Sequence, residues 1–252
     1  MTFWGALMQN VDTEKMLLEA QRFFKDEIAQ HHLKNTEKLT SLSEFNVNPF
    51  TIYYLSAFAF GDTSPKSLAK TLIYPRVLGT SISTTFGSSI QTFCHRVLEA
   101  FPSVVPGMDI EFDDRVDGRH KYCQIKAGPL TINSGDPGVI MQAFKNLRNL
   151  ARTNGMPIND ATDCCVGVLY GTKDALNGHY GVIAKDYPIY VGKEFWYRLT
   201  GDSLFYDNLS VAFTACAEDY FSSNALDHTI DALARDIEAH PEVLSEITVM
   251  TT

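Results

Sequence analysis

The sequence predicts an α/β or α+β chain: helices, a hairpin, a long helix, two strands and more helices, with a mixed central sheet flanked by helices. Three observations lead there. Asp117-Gly118, the preferred pair for a two-residue hairpin turn, separates two strand-like segments at 108–116 and 119–126. Two short apolar runs, CCVGVLY at 164–170 and YPIYV at 187–191, read as buried strands. The segments on either side carry apolar residues at helical spacing.

Taken in order, residues 12–38 read as a helix. Asp12 or Thr13 can cap it, and Met16, Leu17, Ala20, Phe23, Phe24 and Ile28 recur near a 3.6-residue period. Asn46-Val47-Asn48-Pro49 is a turn. Residues 50–60, FTIYYLSAFAF, are almost wholly apolar and are read as a buried helix, and 66–73 as another short one. GTSISTTFGSS at 79–89 reads as a small polar connection. A helix at about 88–100 follows, with Ile90, Phe93, Cys94, Val97 and Phe101 inward and Gln91, His95 and Glu99 in water. After the hairpin a long helix spans about 137–153, opening on Pro137 and closing at Asn154-Gly155. Helices at about 192–199, 203–221 and 226–239 complete the chain, so helices lie at both termini.

Composition narrows the function. The chain has 252 residues, 45% hydrophobic and 20% charged, enough for a sizeable core. No apolar run is long enough to span a membrane. The start, MTFWGALMQNVDTEK, lacks the basic opening of a signal peptide, and five cysteines make no disulfide framework, so a reducing cytoplasm is expected. There is no GxxxxGK[ST] loop, and therefore no nucleotide cofactor is expected, and no GxSxG or HExxH. The net charge is -9. Residues 201–252 hold ten acids against Arg235, which accounts for all of it. Residues 115–155 hold seven bases against two acids, and such a local field can bind a polyanion on an acidic protein.

The hairpin carries the chemistry. With Asp117 and Gly118 as the loop, Asp109 faces Lys126 and Glu111 faces Gln124 across the strands. Alternation places Asp109, Glu111, Gln124 and Lys126 on one face and Ile110, Phe112, Cys123 and Ile125 on the other. Carboxylate and carboxamide oxygens are hard ligands suited to Mg²⁺, and a lysine can orient water or neutralise a phosphorane-like transition state. Those are the parts needed to hydrolyse a phosphodiester. The same pattern also suits an exposed hairpin face whose mixed charges merely pair.

MDIEF followed by QIKAG is similar to the PD-(D/E)xK nuclease signature, an Asp on one strand and an acid-x-Lys on the next. NPFTIYYL (48–55), LAKTLIYPRVLGTSISTTFG (68–87), DIEF (109–112), DGRHKYCQIKAGPLTIN (117–133), FKNLRNLARTNG (144–155), VGVLYGT (166–172) and YPIYVGKEFWYRLTGD (187–202) together resemble the PmeII-type family of type II restriction endonucleases. The resemblance implies a restriction-endonuclease-like core and a Mg²⁺-dependent homodimer cutting both strands of a short double-stranded DNA sequence within a restriction-modification system. It implies one endonuclease domain over 1–252: an N-terminal helical segment (1–47), a catalytic core (48–202) and acidic C-terminal helices (203–252). It also implies that Asp109, Gln124 and Lys126 form the active site. Gln124 departs from the pattern, since an acid is usual there. Glu111, expected opposite, is the residue that can supply the missing charge. The alternative is a DNA-binding protein that keeps the fold and has lost cleavage.

Further candidate DNA contacts are Arg119 and Lys121 on the hairpin, and Lys145, Arg148 and Arg152, which form one stripe at i, i+3 and i+7 of the long helix. That stripe reads equally as a solvated face. Thr131, Asn133 and Ser134 can donate to phosphates or base edges, or simply shape a turn and cap a helix. In related nuclease folds an acid on the helix before the Asp strand sometimes supports the metal. Here Glu99 reads rather as a surface acid.

Overall fold

The computed structural model describes residues 3–48, 50–97, 101–216 and 224–241. Its elements are α1 (Phe3–Phe23), α2 (Gln30–Glu37), α3 (Ile52–Phe60), α4 (Pro65–Tyr74), α5 (Ile82–Val97), β1 (Phe101–Pro102), β2 (Ile110–Asp113), β3 (His120–Lys126), α6 (Asp136–Thr153), α7 (Asp160–Asp163), β4 (Cys164–Val168), α8 (Gly178–Ile183), β5 (Ile189–Val191), α9 (Lys193–Thr200), α10 (Phe205–Ala215) and α11 (Ala225–Ala239). The backbone falls into two compact units, one of Met1–Phe23 and Gly87–Cys216, the other of Phe24–Phe86 and Ala217–Thr252.

The first unit holds a five-stranded sheet in the order β1-β2-β3-β4-β5. β1, β2 and β3 pair antiparallel, and β3, β4 and β5 pair parallel, so the sheet is mixed as expected. The parallel pairs need crossovers, which α6 and α8 supply. On one face Tyr122, Cys164, Val166, Val168, Ile189 and Val191 pack against Ile140, Phe144 and Leu147 of α6 and against Tyr180 and Ile183 of α8. On the other, Phe112 meets Phe195 edge-on at 6.3 Å, and Trp196 meets Phe93 of α5 at 6.1 Å. Gly167 lies under the Phe195 ring so closely that a Cβ would run into it.

α6 begins one residue before the expected start, with Pro137 in its first turn, and its inward residues Ile140, Phe144, Leu147 and Ala151 are all buried. The strands at 164–168 and 189–191 lie where the apolar runs place them. The hairpin differs. Glu111 pairs with Tyr122 and Phe112 with Lys121, a register two residues away from the expected one, so neither Glu111 opposite Gln124 nor Asp109 opposite Lys126 holds. The loop has four residues, 115–118, instead of two. Asp114 builds it: its carboxylate accepts from the Val116 amide at 2.8 Å and its carbonyl from the Gly118 amide at 2.8 Å. Gly118 closes the loop at φ +70°, and the Arg115 amide donates to the Arg198 carbonyl at 2.8 Å. Because the slip is an even number, no side chain changes face.

The second unit is helical. Leu39, Leu42, Ile52, Leu68, Ile73, Val77, Ile230, Leu233 and Ile237 form its core. Residues 79–89, expected as a polar connection, are helical: a π-helical segment spans Pro75–Ser81 and α5 starts at Ile82. The Ser83 hydroxyl donates to the Gly79 carbonyl at 2.9 Å, so it follows the helix instead of competing with it. A second π-helical segment, Phe24–Ala29, divides the expected helix at 12–38 into α1 and α2. α10 ends at Ala215, and residues 217–221 of the expected 203–221 helix lie outside the described residues. α3 is a helix as expected but buries only Ile52 and Ser56. Phe50 before it and Tyr54 and Phe58 on it are exposed.

Candidate active site

Asp109 stands one residue before β2, at the mouth of the hairpin. Its amide donates to the Cys123 carbonyl at 2.9 Å. Its carboxylate reaches across to β3, where Oδ2 accepts from the Ile125 amide at 2.6 Å. Oδ1 accepts from Nε2 of Gln91, on α5, at 2.6 Å. Ile125 is the residue between Gln124 and Lys126, so one hydrogen bond ties the carboxylate to the strand segment that carries both. Gln91 was not singled out by sequence reasoning. Its position on the polar side of α5, facing the hairpin, was the available signal.

Gln124 is 8% exposed and donates through Nε2 to the Gly107 carbonyl. That fixes the amide and leaves Oε1 as its free end. Lys126 is half-buried, and its ammonium has no hydrogen bond or ion pair among the described residues. The β3–β4 register sets Gln124 beside Val166 and Lys126 beside Val168, so both project from the same sheet face.

Glu111 does not join them. The two-residue slip in register moves it away from Gln124. Its Oε1 accepts from the Ser103 hydroxyl at 2.6 Å, and its Oε2 contacts His120 Nε2 at 3.1 Å. The expectation that it faces Gln124 is corrected accordingly. His120 also contacts Asp113 through Nδ1 at 2.9 Å. Partial burial opposes its charge, but the Asp113 and Glu111 carboxylates outweigh that and hold its pKa above the ordinary histidine value.

The expected DNA contacts divide. Arg119 is committed to Asp163 through a bidentate pair at 2.6 and 2.9 Å. Lys121 is 1% exposed, with its ammonium 2.6 Å from Asp117 Oδ2 and 2.9 Å from the Thr162 carbonyl, and so presents nothing to a phosphate. Lys121 faces the apolar side because it is paired across β2 with Phe112. Thr131 is exposed and donates to the Gly128 carbonyl at 2.8 Å, and Asn133 accepts from the Gly135 amide at 2.9 Å, which is turn chemistry. Lys145, Arg148 and Arg152 are exposed on α6. Arg148 lies 3.4 Å from Asp160, while Lys145 and Arg152 have no partner among the described residues. Glu99 lies outside the described residues.

Burial favours the protonated thiol at Cys94 and Cys123. Burial and then the Asp109 carboxylate push Cys94 up to about 12, and burial raises Cys123 well above its usual value. At the mouth of the hairpin a hard cation would meet two oxygen donors, the Asp109 carboxylate and Gln124 Oε1. No group of three His, Cys, Asp or Glu gathers into a ready metal centre among the described residues. Such a pair fits Mg²⁺, which keeps several waters and takes further oxygens from a phosphate.

The family model for type II restriction endonuclease EcoO109I matches residues 18–219, four-fifths of the chain. No curated protein matches it.

Proposed function

We propose a cleavage reaction from one premise: the chain belongs to the EcoO109I family of type II restriction endonucleases, nucleases of the PD-(D/E)xK type. The reaction is the Mg²⁺-dependent hydrolysis of phosphodiester bonds at a specific double-stranded DNA sequence, by a cytoplasmic homodimer of single-domain endonucleases. The observation that carries it is the Asp109 carboxylate accepting from the amide of Ile125, the residue between Gln124 and Lys126. The segments at 48–55, 68–87, 117–133 and 187–202 resemble the PmeII-type enzymes in particular.

Asp109 and Gln124 would hold a Mg²⁺, which when bound would supply Lewis-acid stabilisation at the reacting phosphate and a more acidic water. The protein's own contribution is positional. Gln91 and the Ile125 amide fix the plane of the Asp109 carboxylate, so that it does not reorganise as charge develops. The Gly107 carbonyl accepts from the Gln124 amide nitrogen, which leaves the amide oxygen to serve as a ligand. The unpaired Lys126 ammonium orients the attacking water and neutralises charge gathering on the phosphate oxygens. Lys145, Arg148 and Arg152 on α6 hold the DNA backbone.

Plasmid incubated with protein, with Mg²⁺ or with a chelator, tests the reading. Discrete fragments that need Mg²⁺ are expected. Lys126→Ala should abolish cutting and keep specific binding, because the lysine serves the transition state more than the ground state. A variant that cuts at the parent rate would remove Lys126 from the site. A second reading, a DNA-binding protein without cleavage, is favoured by one observation, the carboxamide of Gln124 where an acid is usual. Retardation of DNA with no cutting at any Mg²⁺ concentration would establish it.

A further inference from the structure

The helical second unit contains a groove that the cleavage chemistry does not use. It encloses about 330 Å³, over the buried side chain of Leu39. The end of α2 contributes Asn35 and Lys38, the π-helical segment Arg76, Thr80 and Ser81, and the first turn of α5 Thr84. Among its lining residues only Glu44 is acidic.

Most of its donors are unengaged. The Lys38 ammonium and the hydroxyls of Thr80, Ser81 and Thr84 have no hydrogen-bond partner among the described residues. Arg76 is held rather than free: one terminal nitrogen donates to the Glu44 carbonyl, and the guanidinium lies over the Phe45 ring, 5.4 Å from its centroid. A guanidinium has five N–H donors in a fixed fork, so this anchoring leaves others to point at a ligand. Two cations, four hydroxyl side chains and an amide line the groove beside one carboxylate, so donors and positive charge predominate. The complementary guest is a compact anion with several oxygens, and mixed Lys, Arg, Ser, Thr and Asn donors are those that contact nucleic-acid backbones. The groove also draws on residues 68–87, the longest segment carrying the family resemblance, which lies outside the hairpin.

We infer that this groove binds a backbone phosphate of the DNA, a contact separate from the catalytic hairpin. The inference rests on the nuclease reading above. It gives the second unit a share in holding the substrate.

The test measures binding of a duplex to the full chain, in chelator, over a series of salt concentrations. Lys38→Gln and Arg76→Gln should each weaken binding and flatten the slope of log K against log salt by roughly one unit for each phosphate left without its cation. Lys38→Glu should weaken binding further, and Arg76→Lys, which keeps the charge, should retain the slope. Parent slopes in both glutamine variants, with circular dichroism showing them folded, would overturn the inference. In a second arm the parent is titrated with inorganic phosphate and its melting followed. Stabilisation that both glutamine variants lose, together with unchanged DNA slopes, would assign the groove to free phosphate and likewise overturn the inference. A parent protein that binds no DNA at all is a distinct result, and removes the nuclease reading and this inference with it.

Discussion

Lys121→Met separates a structural lysine from a DNA-binding one. The Lys121 ammonium is buried against Asp117 at 2.6 Å and the Thr162 carbonyl at 2.9 Å, with Asp114 at 3.8 Å. Methionine keeps most of the stem and removes the charge. Removing one member of a buried ion pair costs about 3–5 kcal/mol, because the partner is left uncompensated. The lower end applies, since Arg198 still holds Asp114 at 2.7 Å and the Asp117 side chain is 36% exposed and can take water. For a chain of this size each kcal/mol shifts Tm by about 2–4 °C, so a loss of about 3 kcal/mol is a fall of roughly 6–12 °C. Thermal unfolding followed by circular dichroism at neutral pH reads it. A phosphate-binding lysine would behave oppositely: the Tm would hold and the salt slope of DNA binding would flatten by about one unit. A Tm within about 2 °C of the parent would refute the structural assignment, since the smallest expected loss lies well outside it.

Three other substitutions probe the hairpin and the sheet. Gln124→Glu adds a charge at nearly constant size, so cleavage should persist with half-maximal Mg²⁺ moved lower, while Gln124→Leu should move it higher; superimposable rate curves would show that residue 124 does not touch the metal. His120→Gln tests the carboxylate bridge. A histidine whose folded pKa lies above the ordinary 6.5 stabilises fully below that value and loses the effect as pH rises through the folded pKa. The stability difference between parent and variant, from urea titrations, should therefore be largest in mild acid and shrink towards alkaline pH; a difference that is flat with pH counts against it. Gly167→Ala forces a Cβ into the Phe195 ring and should cost about 1–3 kcal/mol or more, whereas unchanged stability would mean that the α9 side relaxes freely.

The sequence was most legible where local chemistry and burial agree. Pro137 and an unbroken apolar stripe announce α6, and the runs at 164–168 and 189–191 are strands because both faces of the sheet are covered there. The sides of the hairpin were legible too, since alternation survives a slip by two. The register was not. Asp117-Gly118 is a strong two-residue turn signal, but Asp114 offers the Val116 amide a local acceptor, and the Arg198 carbonyl, 83 residues along the chain from Arg115, takes the Arg115 amide. No local pattern reveals that distant acceptor. Residues 79–89 misled for another reason. Ser, Thr and Gly have weak helix propensity, yet Val77 and Ile90 are buried on either side and the serine hydroxyl bonds within the helix. Gln91 stayed hidden because a glutamine on a wet helix face looks like any other until the chain brings Asp109 beneath it.

The loop at 115–118 also limits how this hairpin can change length. An insertion of one residue that slid the strands, instead of lengthening the loop, would send Asp109 and Glu111 to the opposite side of the sheet and bring Ile110 and Phe112 over in exchange. An insertion of two would spare the core but carry Asp109 past the Ile125 amide, separating the carboxylate from the strand segment of Gln124 and Lys126. Odd changes are thus opposed by packing and even ones by chemistry. Among natural relatives the register that sets Asp109 against the Ile125 amide should be invariant, while the exposed side chains of Arg115 and Val116 vary freely.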